Sequence, residues 1–401
     1  MVSAVRASAL TRRHLAAVAL CALVVAGATA CSHATSSGHG AGATTSTSST
    51  LVAPWQGTLT TSGLPAGVQT LRAVSCATTQ RCWAVGSTVA TATAGSGPAL
   101  VTSSDGGVTW RTETVPAGVG YLADIACASS RTCTAVGQAG ATGVGPGAII
   151  TTTNGGAAWV SRTVPAGTTD VTALSCPHRG GCVALGTVSG RVTTLSPDGP
   201  AGAWTASGLL PPAATVATSL ACTDGLHCWA TASDPSDLSH AAGSIDASTD
   251  GGTTWVPQTV PAGVGAINAV DCRASATPKT PVSCTAVGTT STVLNSARTG
   301  QAVVLGSGGN GTWASEPAPA GAADLLDVSC SAGPCLAVGT AVATAAEGGT
   351  VVLTTSTGSS ASVWRRAAVV AVALPLTGVS CVSTAACVVV GESVSARIAA
   401  A

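Results

Sequence analysis

Cysteine offers this 401-residue chain its most varied chemistry, since sixteen are present and thiols can ligate zinc, attack electrophiles or close disulfides. Fourteen fall into seven local pairs: Cys76 and Cys82, Cys127 and Cys133, Cys176 and Cys182, Cys222 and Cys228, Cys272 and Cys284, Cys330 and Cys335, and Cys381 and Cys387. Five pairs leave five residues between the cysteines, longer than a usual zinc knuckle, and no histidine stands at ligand spacing. The ends of a short loop between antiparallel strands bring Cβ atoms close to disulfide distance. Seven hairpin disulfides are therefore expected, each contributing roughly 2 to 2.5 kcal/mol on a chain-entropy reckoning. Neither a metal nor a cofactor is expected.

The two remaining cysteines lie near the N-terminus. Arg6, Arg12 and Arg13 precede an uncharged apolar stretch from Leu15 to Ala30, and Cys31 follows at once, so residues 1–30 read as a signal peptide. The segment TRRHLAA (11–17) resembles a twin-arginine export motif, with Leu15 and Ala16 where that family usually has Phe and Leu, and both export routes stay open. Ala28-Thr29-Ala30-Cys31 resembles a bacterial lipobox, departing from it at Ala28, and the resemblance implies a lipidated Cys31. Cysteine arithmetic agrees: Cys21 leaves with the signal and Cys31 alone has no partner. The other reading is an ordinary cleavage site that leaves a secreted product. The expected location is the outer side of the cell membrane, reached through a lipid anchor. Residues 31–50 carry the lipidated cysteine and a Ser/Thr/Gly linker in which His33 and His39 read as solvated.

Hydrophobic residues make up 46% and charged residues 8% of the chain, with 49 glycines, nine tryptophans, one tyrosine and no phenylalanine. Such a composition suits short strands joined by glycine turns. Sixteen basic and sixteen acidic groups balance, and no basic run is present, which argues against a nucleic-acid partner.

What must position the cysteines is a repeat. The pattern apolar-x-x-apolar-Ser/Ala/Asp-Cys, short loop, Cys-x-Ala-Val-Gly returns about every fifty residues. A second marker follows it, clearest in SSDGGVTW (103–110), TTNGGAAW (152–159) and STDGGTTW (248–255), with eroded versions ending at Trp204, Trp313 and Trp364. These segments resemble the Asp-box, or bacterial neuraminidase repeat. In them the acid and two glycines make a turn of positive φ, and the Trp buries between sheets. In the first unit the strands read as LRAVSC, CWAVGSTV, ALVTSS and TWRTETV. The expected fold is an all-β seven-bladed β-propeller over residues 51–401, with four-stranded blades and one hairpin disulfide per blade. The last blade is expected to be closed by the N-terminal strand, because the final unit stops after three strands and APWQGTLTTSGLPAGV (53–68) matches a fourth-strand segment, with Trp55 in the Trp position.

Over residues 51–401 the chain resembles the sialidase and photosystem II assembly factor-like superfamily, which holds enzymes and scaffolds alike. Sialidases there use an arginine triad, a Tyr activated by Glu, and an Asp acid. Here Tyr121 is the only tyrosine, the glutamates are Glu113, Glu316, Glu347 and Glu392, and none can be placed beside it from sequence. Arg81, Arg131 and Arg179 fall inside the Cys loops, and Asp105 and Asp250 read as turn formers. The expectation is a non-catalytic monomer acting as a protein-binding or assembly scaffold for another envelope protein. The alternative is a binder of cell-wall or extracellular glycan, or a degenerate sialidase-like glycoside hydrolase.

A four-stranded meander puts its first and third turns on one face, so the cysteine pairs and glycine turns share it. The opposite face carries the loops that vary between copies, whose charged groups Asp234, Asp237, His240, Arg298 and Glu347 are the candidate binding residues. Trp83 and Trp229, each following a cysteine, are expected between blades, with a carbohydrate platform as the other possibility.

Overall fold

A computed structural model of the chain describes residues 57–400 apart from 92–94, 141–144, 178–180, 199–201, 213, 234–242, 274–281, 291–299, 308–310, 331–333, 342–349, 357–362, 371–374 and 384–385. The expected signal peptide, Cys31, the linker and Trp55 lie outside the described residues.

Val, Ile, Thr and Ala runs broken by glycine turns favour pleated, paired backbone. The described residues form seven four-stranded antiparallel sheets. Six of them take four strands consecutive in sequence; the other joins Leu376–Ser383, Ala386–Gly391 and Ser395–Ala400 to Gly57–Ser62. In that sheet Gly57–Ser62 is the outermost strand, paired antiparallel with Ser395–Ala400 from Gly57 opposite Ala400 to Ser62 opposite Ser395.

The first strands of the sheets stand side by side around an axis. In order they are Val68–Cys76, Tyr121–Cys127, Thr168–Ser175, Val216–Cys222, Ala266–Arg273, Ala322–Cys330 and Leu376–Ser383, and the last packs back against the first. This radial arrangement is a β-propeller, and its sheets are called blades one to seven in that order. The core is correspondingly split into wedges between neighbouring blades. Leu71, Val74 and Trp110 of blade one meet Val388 and Val390 of blade seven, and Trp83 and Leu100 of blade one meet Leu122, Ile150 and Trp159 of blade two. No blade buries both faces by itself, so each depends on its neighbours for stability.

All seven expected cysteine pairs form disulfides, with Cα–Cα distances of 4.0–4.1 Å. Cys76 and Cys82, like most of the others, are direct cross-strand partners, so each bridge clamps the end of a hairpin ladder.

The fourth strands are shorter than the sequence suggests. In blade one the strand is only Arg111–Thr112, and Trp110 precedes it. The cause is the turn: Ser103 Oγ accepts from the Gly107 amide at 2.8 Å, and Asp105 Oδ1 accepts from the amides of Val108 and Thr109 at 3.1 and 2.9 Å. Those amides are withheld from the ladder until the Trp has passed. Where the turn is eroded, at Trp204 and Trp313, the Trp opens the strand. Gly106 and Gly107 hold φ of 73° and 87°, a region in which only glycine rests without strain.

Candidate functional site

Two belts of hydrogen bonds tie the inner strands together, and a departure from one of them marks the site. In the first belt a Ser or Asp side chain accepts from a backbone amide of the next blade. Ser75 accepts from Cys127, Asp124 from Leu174, Ser175 from Cys222, Ser219 from Val270, Asp271 from Cys330, Ser329 from Cys381, and Ser380 from Cys76, which completes the circuit. In five blades the acceptor is the Ser/Asp directly before the repeated cysteine, a role the motif displayed without revealing; where Ala stands there, before Cys127 and Cys222, Asp124 and Ser219 three residues ahead of the cysteine take it over.

The second belt comes from backbone irregularity. Every inner strand shifts register at one shared position, four residues before its first cysteine: Arg72, Ala123, Thr172, Thr218, Asn268, Leu326 and Thr377; four of the strands carry a second shift elsewhere. Such a bulge re-aims its side chain. Thr172 donates to Ala217 O, Thr218 to Ile267 O, Asn268 to Leu325 O and Thr377 to Leu71 O, each carbonyl belonging to the next blade. Ala123 and Leu326 carry no donor. Arg72 carries one and does something else: its guanidinium lies 5.2 Å from the centroid of the Tyr121 ring on blade two, within cation–π range.

Arg72 is exposed and opens into a cleft of about 420 Å³ between blades one, six and seven, together with Gln69, Thr70, Ser96, Asp324 and Glu392. These residues come from the starts of inner strands and from the second-to-third loops, so the cleft is on the face with the variable loops. Among the described residues Arg72 has no carboxylate within salt-bridge distance. Asp324 is fully buried, accepts from Asn268 Nδ2 at 2.7 Å, and its Oδ2 has no partner among the described residues. Desolvation pushes its pKa up to about 6. Glu392 is half-buried and bridged through its backbone to Thr70.

Other acidic groups have structural roles. Glu113 and Glu316 each stand three residues after a Trp and accept from the indole of the next blade, Trp159 and Trp364. A Trp-x-x-Glu spacing was the available signal for this. Asp250 is held at about 2, first by the Thr254 hydroxyl, as a turn acceptor. Asp124, Asp271 and Asp327 line the inner strands, each accepting from its own following amide and from an amide of the next blade. Desolvation raises them to about 7, 6 and 8, and repulsion from the other two adds to the rise at Asp327. No three acidic, histidine or cysteine side chains among the described residues are grouped to hold a metal ion.

The sequence-selected binding residues Asp234, Asp237, His240, Arg298 and Glu347 lie outside the described residues, as does Arg179. Trp83 is fully buried and Trp229 is packed half-buried in the wedge between blades four and five. On the opposite face Arg81 donates to Gly155 O and sits over Trp83, and the Gly106 amide donates to Gln80 O, so cysteine loops and glycine turns do share that face. What sequence reasoning missed was Arg72. Its signal was a single arginine at a repeat position otherwise filled by Thr, Asn, Ala or Leu. It also left Tyr121 without an acidic companion, whereas the structure sets Glu392 in the cleft that holds Arg72, the residue lying on Tyr121.

No family model and no curated protein matches the chain. Solved structures do match its fold. A structure described as YCF48 bound to D1 peptide is 15% identical with a TM-score of 0.55, over 86% of this chain and 97% of that one. A streptogramin B lyase structure is 9% identical with a TM-score of 0.58, over 87% of this chain and 99% of that one. The phage phi92 endosialidase is 10% identical with a TM-score of 0.51, over 86% of this chain and 69% of that one. At such identities the likeness is one of fold, and the three neighbours include both enzymes and a peptide binder.

Proposed function

We propose that this chain is a non-catalytic, exported lipoprotein propeller, its turns being Asp-boxes, that binds another envelope protein at the cleft around Arg72. The observation that carries this reading is the departure of Arg72 from the second belt. Six bulged positions are either engaged in joining blades or lack a donor, whereas the seventh presents a guanidinium with no carboxylate partner among the described residues, steadied by Tyr121, to an open polar cleft. An exposed cation beside the half-buried acceptor Glu392 suits a polar segment that offers both an acceptor and N–H groups, as an extended peptide does. The D1 peptide bound by a propeller of like fold supports the same use of the scaffold.

The tryptophans among the described residues argue against a sugar platform. Trp83, Trp110, Trp159, Trp204, Trp255, Trp313 and Trp364 are all buried, and Trp229 is packed in a wedge. One observation favours the glycosidase-like alternative: Arg72 on Tyr121, with Glu392 and Asp324 in the same cleft, brings together the residue types such an enzyme uses. Among the described residues the carboxylate clamp is incomplete, because Arg72 is the one arginine of theirs that lines the cleft.

The test is cross-linking in intact cells with the tagged chain and its Arg72→Ala and Tyr121→Phe variants, followed by mass spectrometry of what co-purifies. A stoichiometric protein partner lost with Arg72→Ala supports the scaffold. Equal capture by Arg72→Ala overturns the cleft, and hydrolysis of a fluorogenic sialoside that stops in Tyr121→Phe establishes the alternative.

A further inference from the structure

Seven bridges share one local design, and one of them has a cation against it. Arg273, directly after Cys272 on blade five, donates from Nη2 to Cys335 Sγ at 2.9 Å. The Thr285 hydroxyl lies 3.5 Å from the same sulfur. Cys182 has a comparable hydroxyl neighbour, Thr134 at 3.7 Å, without a cation. Among the described residues no other disulfide sulfur receives a charged donor. Cys335 is buried at 1% exposure while Cys330 is half-buried, so a reagent meets Cys330 first. Asp271 is the opposing charge, accepting from the Cys330 amide at 2.7 Å and acting on Arg273.

We propose that Cys330–Cys335 is a thiol–disulfide exchange site, opened by an external dithiol ahead of the other six bridges. A thiolate of the dithiol attacks Cys330 Sγ, a new S–S bond forms to Cys330, and the old one breaks with its electron pair leaving on Cys335. That thiolate is the leaving group that Arg273 and Thr285 stabilise, and a stabilised leaving thiolate departs faster. The second thiol of the dithiol, after losing its proton to water, attacks its own sulfur in the mixed disulfide and releases Cys330 as a thiolate. The dithiol is oxidised by two electrons to a disulfide, the cysteine pair is reduced by two, and the released thiolates take protons from water. The exchange bears on the fold because Cys330 is itself a belt donor to Asp271.

The experiment treats the native full-length protein with limiting dithiothreitol, quenches by alkylation at intervals, and maps each cysteine pair by mass spectrometry. Cys330–Cys335 is expected to open about tenfold faster than the mean of the other six, the scale of a charge-assisted hydrogen bond to the leaving sulfur. Arg273→Gln should remove that lead and Arg273→Lys should keep most of it. A wild-type order in which Cys330–Cys335 is not first overturns the proposal, as does a lead that survives Arg273→Gln. If Arg273→Gln does not fold, Thr285→Val takes its place, with a reduced lead expected and an undiminished one counting against the proposal.

Discussion

The hydroxyl of Ser380 accepts a hydrogen bond from the backbone amide of Cys76 at 3.0 Å, although 304 residues separate them in sequence. Every neighbouring pair of blades has an equivalent link, so the inner strands are tied by side chains rather than by backbone ladders. Ser380→Ala should leave the Cys76 amide unpaired and lower unfolding free energy by about 1–2 kcal/mol. Chemical denaturation of Ser380→Ala beside Ser329→Ala checks this, and no loss in either variant would show the belt to be incidental.

Stability should fall as pH rises. Asp327 is raised to about 8 and Asp124 to about 7, above an ordinary aspartate near 3.8, so the folded protein holds these protons more tightly than the unfolded chain. Their contribution is complete below about pH 4 and is lost as pH climbs through 7 to 8. Melting temperature should therefore be higher at pH 5 than at pH 8.5, and Asp327→Asn should shrink the difference. A melting temperature that rises over that interval would contradict the assignment.

Glu113 and Glu316 should behave as packing residues. Replacing either with Ala leaves an indole N–H of Trp159 or Trp364 without its acceptor between blades, a loss of about 1–3 kcal/mol. Glu392→Ala, at the cleft, should leave stability within about 0.5 kcal/mol of wild type. Unfolding curves of the three variants separate structural from surface glutamates.

A glycine pair isolates what the turn requires. A Cβ on Gly107 would stand 2.8 Å from Val388 of blade seven at φ 87°, whereas Gly118 has the same φ and nothing within 4 Å. Gly118→Ala should lose about 1 kcal/mol from backbone strain, and Gly107→Ala about 2–4 kcal/mol because a blade interface must also shift. Equal losses would mean that Val388 gives way freely.

The local chemistry was legible because it is local. Cysteines six residues apart on a hairpin, a Ser-x-Asp-Gly-Gly turn and the strands beside it depend on near neighbours, and seven bridges formed between the pairs read from the chain. The short fourth strand at Arg111–Thr112 was not legible, since it depends on how many amides Ser103 and Asp105 capture. The roles of Ser75, Glu113 and Asp327 were invisible for a further reason: each acts on a residue of the next blade, about fifty positions away, and sequence spacing along one blade does not encode that distance. Arg72 shows the division most clearly. The sequence by itself determined that an arginine stands between two apolar positions of an inner strand. Only the tertiary structure decided that a bulge re-aims it, that Tyr121 of the adjoining blade lies beneath it, and that Glu392, more than three hundred residues later, lines the same cleft, because closing the ring is what brings those backbones together.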